Sequence, residues 1–504
     1  MPKYLLGTDN GCTMSKAALF TLDGHEVAVA SRKTETLTPK PGHLERNVPE
    51  MWASTAAVIR EVIAAAAIAP ADVACVACAG HGNGLYLVNE AGEPVRDAIM
   101  STDSRARDIV DEWLAAGVDK AVLPKTTQSI WPAQPNALLL WLKRHEPATL
   151  ERARWVLMAK DYIRYQLTGE VAAELTDFSG TSLLDVPKMA YDDALLATFG
   201  IADLRRLLPP LIRSADIAGR VTAKAAAETG LAEGTPVAGG MFDIDACGLA
   251  VGLTDESQLC MIAGTWGNNQ YISQTPVVSH DVFMTSCYAI PGFYLMLEGS
   301  ATSASNLEWF VTEFFGAERA LAEKQGKSVY DVCNELVAAT KPEDSSIAFL
   351  PFLYGSNVGP DAKACFIGLN GWHTRGHVLR AIYEGVVFGH RTHIERLLKF
   401  RAMPGTIRLT GGAARSEAWV QIFADALQTP VEIPDGTELG ALGAAIAAAV
   451  AAGCYASYEE AVGAMVRFAR RQEPDRSRKA LYDAKFERYH QTIRALDSVW
   501  AAFR

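Results

Sequence analysis

At 504 residues, 49% of them hydrophobic and 21% charged, the chain is long enough to build two ordinary domains with substantial cores. Its formal net charge of −11 excludes the basic surface that nonspecific nucleic-acid or anionic-membrane binding requires, so any phosphate binding has to be local. Nine cysteines, sparse and irregularly spaced, make no disulfide framework, and no basic segment followed by an apolar core opens the chain, which together point to a reducing cytoplasm.

Tyr4-Leu5-Leu6 reads as a strand, Gly7 to Lys16 as a polar turn, and Ala17-Ala18-Leu19-Phe20 as the returning strand. That turn holds Asp9, Gly11, Thr13 and Lys16. An acidic residue, glycine, hydroxyls and a lysine suit a metal-bound polyphosphate, because exposed N–H groups and a cation face it. A hairpin through Leu22-Asp23-Gly24-His25 follows, then an amphipathic helix from about Pro49 to Ala67 with Asn47 at its cap. The next strand, Val73 to Ala77, carries Cys75 and leads to Cys78. Their odd separation in a strand sends the thiols to opposite faces, so they read as core residues and not as a metal pair.

Ala79-Gly80-His81-Gly82-Asn83-Gly84 is a loop of small residues that a ligand can approach closely, with His81 and Asn83 as candidate sugar contacts, before Leu85-Tyr86-Leu87-Val88 resumes the sheet. After Ala98-Ile99-Met100, Asp103 either presents a carboxylate to hydroxyl groups or caps a helix. Trp131 is either the apolar floor of a sugar site or ordinary packing. Thr235 to Asp245 closes the first lobe, and a boundary near residue 253 gives domains 1–253 and 254–504. Within that closing segment, alternation along an extended chain puts Asp243 and Asp245 on one side, so spacing alone does not choose between them as a base.

The strand–turn–strand device returns as Leu259 to Ala263, then Gly264-Thr265-Trp266-Gly267-Asn268-Asn269, then Gln270-Tyr271-Ile272. Two phosphate-type turns, one in each half, point to one nucleotide held between two related lobes. Later, Arg408-Leu409-Thr410 leaves through Gly411-Gly412-Ala413 into the helical pattern Glu417 to Leu427, a strand, glycine turn and helix that suit a nucleotide. The uncharged run from Leu439 to Tyr458 is mostly alanine and glycine; Leu439, Leu442, Ile446 and Val450 make one narrow apolar stripe and Gly453 ends it, which predicts an internal helix and not a membrane span.

Together these residues resemble the FGGY carbohydrate kinase family over essentially the whole chain. Asp9 to Lys16 matches the family's first phosphate motif, Gly264-Thr265-Trp266 its second with Trp266 in place of the commoner serine, and Gly411-Gly412-Ala413 its adenosine motif. The most specific match is Ala364 to Leu369, then seven residues, then His377 to Glu384, which fits the C-terminal signature. The other signature, Trp131 to Lys143, departs at Leu138, where a lysine is expected. The Gly80 to Gly84 loop, Ser101 to Ala106, Asn306 to Phe310 and Leu350 to Asn357 look most like the L-xylulose kinase branch. D-sugar xylulokinases carry glutamine, methionine and histidine where His81, Gly82 and Asn83 stand.

The resemblance implies an α/β fold of two ribonuclease-H-like lobes, as in actin, hexokinase and Hsp70, with an active-site cleft between them. It implies ATP-dependent phosphorylation of a primary hydroxyl of a small ketose, such as L-xylulose or D-xylulose, by direct in-line transfer. On this reading Asp243 is the general base, favoured over Asp245 by its offset from Gly240, and Asp9 orients Mg²⁺. ATP would be held by Gly11, Thr13, Lys16, Gly264, Thr265, Gly411, Gly412 and Ala413; the sugar by His81, Asn83, Asp103, Trp131 and Asp243. Alternatives are a kinase for ribulose, erythritol or glycerol, and a noncatalytic ATP- and sugar-binding regulator of the same fold. Expected partners are the sugar and ATP, without nucleic acid or membrane, and a homodimer is one expected assembly, since soluble enzymes of this size commonly form symmetric dimers.

Overall fold

Asp9 and Lys16 stand opposite each other inside an antiparallel ladder, so the first turn is shorter than its polar composition predicts. In the computed structural model, which describes residues 3–356, 358, 359 and 361–503, β1 (Tyr4–Asn10) pairs with β2 (Met14–Thr21), and only Gly11-Cys12-Thr13 connects them. Polar side chains do not end a strand whose backbone groups remain paired, and here pairing continues on both sides. β2 turns through Gly24, at φ 83°, into β3 (Glu26–Lys33), as the hairpin signal predicts.

The described chain divides into two compact units. One runs up to Thr254 and adds Ile272–Met296 and Gly436–Val466; the other holds Asp255–Tyr271, Leu297–Asp435 and the residues from Arg467 onward.

In the first unit, α1 (Val48–Ala66) begins as read from the sequence, with the Asn47 side chain accepting from the Glu50 amide at 2.9 Å. Its buried Val48, Met51, Trp52, Ala56, Val58, Ile59, Val62 and Ile63 recur at helical spacing and join Leu6, Ala17, Leu19, Val76 and Cys78 of the sheet in one core. The remaining elements that place the site are β4 (Val73–Gly80), α2 (Ala159–Thr168), β5 (Ile217–Arg220), β6 (Pro236–Ala238), β7 (Met241–Phe242) and α3 (Asp243–Ala250). The strand order is β5-β6-β4-β1-β2-β3, with β1 parallel to β4 and β7 also pairing β4. Cys75 and Cys78 are buried free thiols on β4, held up to about 12 and about 11 by burial.

The opposite face of this sheet is covered by the helix Leu439–Ala451. Its residues from Leu439 to Ala449 are all buried, so the stripe expected from its aliphatics is in fact a helix enclosed on every side. Glycines and alanines make that enclosure possible. A Cβ at Gly7 would lie 1.9 Å from the Ala441 carbonyl oxygen, and one at Gly443 2.0 Å from that of Ala246 on α3. No helix among the described residues is long and apolar enough to cross a membrane.

In the second sheet, β8 (Gln258–Ala263) and β9 (Gly267–Ser273) are antiparallel, with β10 (Tyr294–Ser300) beyond β9. They are followed by α4 (Val329–Ala338), α5 (Arg375–Leu397), β11 (Thr406–Thr410), α6 (Glu417–Leu427), β12 (Val431–Pro434), β13 (Phe468–Gln472) and α7 (Lys479–Leu496). The order is β10-β9-β8-β11-β12-β13, and β8 is parallel to β11 just as β1 is to β4. The signature residue Glu384 on α5 is buried and ion-paired with Lys485 of α7 at 2.7 Å. Asn357 of the motif Leu350 to Asn357 lies outside the described residues.

Candidate active site

The first turn is braced from behind by a residue the sequence does not single out. Arg46, 1% exposed, donates to the Gly11 carbonyl at 3.1 Å from two nitrogens, to the Cys12 carbonyl and to Thr34 Oγ1 at 2.8 Å. With the carbonyls engaged on that side, the turn is held in place, and Thr13 is exposed at its tip. Gly11 has open space around it, its nearest neighbour to an added Cβ being 3.8 Å away.

Asp9 shares its face of β1 with Gly7 and so points at the start of the helix Leu439–Ala451. A Cβ at Gly440 would lie 2.4 Å from Asp9 Oδ2. Asp9 Oδ1 is buried with no hydrogen-bond partner. Burial raises the Asp9 pKa, Lys16 opposes the shift and Glu438 adds to it. Lys16 Nζ is itself ion-paired with Glu438 at 2.8 Å. Burial works against the Lys16 charge, but Glu438 and then Asp9 outweigh it and keep its pKa above the ordinary value.

Asp243 is the first residue of α3, not part of an extended segment, and this separates it from Asp245. Two helical residues are about 200° apart around the axis, so the expectation of a shared side fails. Asp245 is fully buried and accepts from the Ala289 amide at 3.1 Å, whereas Asp243 is half-buried. Burial first, then the charges of Asp9 and Asp177, hold Asp243 well above the usual carboxylate range. Its approach is fixed by the preceding residue, whose amide, Phe242 N, donates to Thr176 Oγ1 at 2.9 Å while that hydroxyl donates to Glu174 at 2.7 Å.

Glu174 belongs to a buried charge cluster centred on Lys160 of α2. The Lys160 ammonium lies 3.0 Å from Asp161, 3.4 Å from Glu174 and 3.3 Å from Asp177, and Arg164 pairs with Asp161 at 2.8 Å. Three carboxylates against two cations leave Asp177 the weakest held. Burial pushes it up to about 7, with Lys160 opposing, and neither of its oxygens takes a well-aligned hydrogen bond. A Cβ at Gly82 would lie 2.9 Å from Asp177 Oδ1 and 2.5 Å from the Phe242 ring. Only a glycine at 82 admits this approach.

The loop after β4 is anchored at both ends, His81 N donating to the Asn10 carbonyl at 3.0 Å and Gly84 N to the Ala133 carbonyl at 2.9 Å. His81 is buried, its Nδ1 toward the Gly82 carbonyl at 3.3 Å and its Nε2 at 2.9 Å from the Tyr86 hydroxyl. Burial and then Arg46 push its pKa down to about 3, so it is a neutral hydrogen-bonding group. Asn83 sits at φ 60°, a left-handed conformation asparagine tolerates, with Oδ1 buried and unpartnered. Trp131 stacks on Phe283 at 4.4 Å, and its Nε1 is likewise buried without a partner. Leu138, where the signature expects lysine, is fully buried.

Asp103 stands apart from these. Its Oδ1 accepts from the Arg105 amide and Nε at 2.8 and 2.9 Å, and its Oδ2 from the Leu44 amide and Arg105 at 2.7 and 2.9 Å. The next helix starts at Arg107 without a side-chain cap, so Asp103 ties a loop and does not cap.

In the second unit, Gly411 at φ 92° lets β11 pass against β8: a Cβ there would lie 2.6 Å from the Ala263 backbone and 2.8 Å from Gly264 N. The two glycine motifs therefore meet. Ala304 N donates to the Gly264 carbonyl at 2.8 Å and Ser305 Oγ to that of Thr265 at 3.0 Å, leaving Thr265 and Trp266 exposed. A cavity of about 550 Å³ opens beside them, lined by Gly264, Thr265 and Gly412 with Asn334, Ser416 and Trp419 among its other walls. Ala413 is buried beneath it. Ser416 caps α6, accepting from Trp419 N at 3.1 Å.

The arrangement of glycine turns, carboxylates and cavity is accompanied by a match of the chain to both domains of one family: residues 4–250 to the N-terminal domain and 259–452 to the C-terminal domain of the FGGY family of carbohydrate kinases. The chain belongs to the FGGY family of carbohydrate kinases. This kinase is 36% identical over 506 residues to the L-xylulose/3-keto-L-gulonate kinase of Escherichia coli (strain K12), covering 100% of this chain and 99% of the relative. It is 37% identical to the probable L-xylulose kinase of Pasteurella multocida (strain Pm70), over 98% of this chain and 99% of the relative. The crystal structure of xylulose kinase from Rhodospirillum rubrum superposes with a TM-score of 0.87 at 29% identity, covering 99% of this chain and 100% of that one. The two-domain α/β architecture is thus that of the family, and kinases of this family use ATP.

Proposed function

We propose that the kinase phosphorylates a primary hydroxyl of a ketopentose, L-xylulose or D-xylulose, with ATP, by direct in-line transfer in the cytoplasm. Asp243 is the general base. The observation that carries this role is the rise in its pKa from burial beside Asp9 and Asp177, because a carboxylate moved toward neutral pH is a stronger proton acceptor. Asp245, inside the fold and bonded to Ala289, has no comparable access.

The relatives named L-xylulose kinase support the acceptor, as do the buried polar atoms without protein partners, Asn83 Oδ1 and Trp131 Nε1, which match hydroxyls of a polyol. His81, held neutral with both ring nitrogens engaged by Gly82 and Tyr86, shapes the acceptor loop. Gly264, Thr265, Gly411 and Gly412 border the nucleotide, with Ala413 shaping the turn, and Gly11 and Thr13 meet its phosphates. Lys16 opposes the rise in the Asp9 pKa and is released from Glu438 if it reaches phosphate.

Mg²⁺ fits this chemistry on one count: Asp9 Oδ1 is buried and unpartnered, and magnesium carried on a polyphosphate needs only one or two carboxylates. When bound it spreads the charge of the transferring phosphoryl group. Among the described residues no group of three or more ligands forms a closed metal cage.

The test is ADP release coupled to a reporter across L-xylulose, D-xylulose, both ribuloses, 3-keto-L-gulonate, erythritol and glycerol. A ketopentose with the highest kcat/KM is the expected result. No acceptor-dependent turnover with any of them overturns the reading in favour of a noncatalytic regulator.

A further inference from the structure

Asn334 of α4 lines the 550 Å³ cavity with one half of its amide already engaged. Its Oδ1 accepts from the Tyr383 hydroxyl at 2.9 Å and from Ser416 Oγ at 2.6 Å. The Ser416 oxygen is also the acceptor for Trp419 N at 3.1 Å, while its one hydrogen goes to Asn334. Both neighbours donate, with the amide oxygen turned toward them. The NH₂ group is left with two N–H donors and no protein partner.

The wall behind Asn334 is rigid. Tyr383 and Trp419 are 1% and 2% exposed, their rings stack at 4.2 Å and 14°, and Trp419 Nε1 donates to the Tyr383 carbonyl at 3.0 Å. A donor held by such a platform, in a cavity bordered by two glycine turns, faces whatever base the nucleotide carries.

We propose that Asn334 is the base-reading residue of this kinase, its Nδ2 donating to a ring nitrogen of the purine. The pairing differs from the two-bond contact asparagine makes with adenine elsewhere, in which the oxygen also accepts from the exocyclic amine. Here Oδ1 is taken, so the residue reads an acceptor alone. This inference rests on the kinase reading, and its test uses nucleotide binding without any sugar.

ADP and its 1-deaza, 3-deaza and 7-deaza analogues are titrated calorimetrically into the wild type and into Asn334→Asp. That variant keeps oxygens for Tyr383 and Ser416 but removes both donors. In the wild type, one analogue binds about 3- to 10-fold more weakly than ADP, the range for one neutral hydrogen bond. In Asn334→Asp that analogue and ADP bind equally, both more weakly than ADP binds the wild type. The proposal is overturned if all three analogues match ADP in the wild type, or if Asn334→Asp discriminates as the wild type does. A wild type that binds ADP not at all overturns the kinase reading instead.

Discussion

Replacing Gly440 with alanine tests whether the position of Asp9 governs phosphoryl transfer. The added Cβ would lie 2.4 Å from Asp9 Oδ2 and 2.8 Å from Asp9 Cγ, against about 3.4 Å for ordinary contact, so the carboxyl has to retreat by roughly 1 Å. β1 cannot yield, being paired along its length with β2 on one side and β4 on the other. The shift therefore falls on the Asp9 side chain. A displacement of about 1 Å in a positioning group costs up to about 100-fold in rate, and overpacking costs about 1–3 kcal/mol of stability. We expect Gly440→Ala to lower kcat roughly 10- to 100-fold and to raise the Mg²⁺ concentration needed for half-maximal rate, measured as ADP release with the preferred acceptor. Gly463→Ala is the control: no atom lies within 4 Å of its Cβ, the site is an exposed helix, and the change stabilises by about 0.5–1 kcal/mol with activity intact. Thermal denaturation separates misfolding from misplacement. A folded Gly440→Ala enzyme with wild-type rate and magnesium dependence would refute the reasoning.

Asp243→Asn is expected to lower kcat by roughly 10² to 10⁴ while calorimetric ADP binding persists. Because the Asp243 pKa is raised in the fold, its ionisation opposes folding as pH climbs above the ordinary carboxylate value, so the thermal advantage of Asp243→Asn over the wild type grows with pH. The same residue puts the acid limb of wild-type kcat/KM well above the usual carboxylate range, and a limb near pH 4 would contradict it. Asp177, at 3.8 when unfolded and about 7 when folded, contributes stability that is complete below pH 3.8 and lost as pH rises through 7; melting scans of Asp177→Asn should diverge upward from the wild type across that window. Asp103→Ala leaves buried Arg105 with Glu45 as its remaining carboxylate partner and should destabilise by about 1–3 kcal/mol. An unchanged melting temperature with a raised acceptor KM would instead return Asp103 to the sugar.

Local signals were legible where one short segment carried its own chemistry. Asn47 with the pattern from about Pro49 to Ala67 declared a helix and its cap, Gly24 declared a hairpin, and Glu417 to Leu427 declared a helix after a glycine turn. Periodicity failed where a run was too short to carry it: Met241-Phe242 pairs as a strand for two residues before α3 begins, so an alternating reading of Asp243 and Asp245 had nothing to contradict it. At Leu439 to Ala451 it announced the internal helix that forms, though alanine hid that every face, and not one stripe, is buried. Arg46 and the group Lys160, Asp161, Glu174 and Asp177 were invisible for another reason. Each is an unremarkable polar residue in the sequence, and burial, known only from the fold, is what gives them their weight. Asn334 belongs to the same class, its meaning arising from Tyr383 and Ser416 on distant elements.

The helix Leu439–Ala451 lies late in the chain yet completes the sheet that begins at Tyr4. A ribosome making this protein must emit the whole span from Thr254 to Gly436 between the first strands and their cover, roughly ten to forty seconds at about 5–20 residues per second. During that interval one side of β1 and β4 has no partner, and a protein truncated after Asp435 would keep it bare. Birth order thus makes Asp9 among the last features of the enzyme to be enclosed, because the helix that covers it is made only after most of the chain.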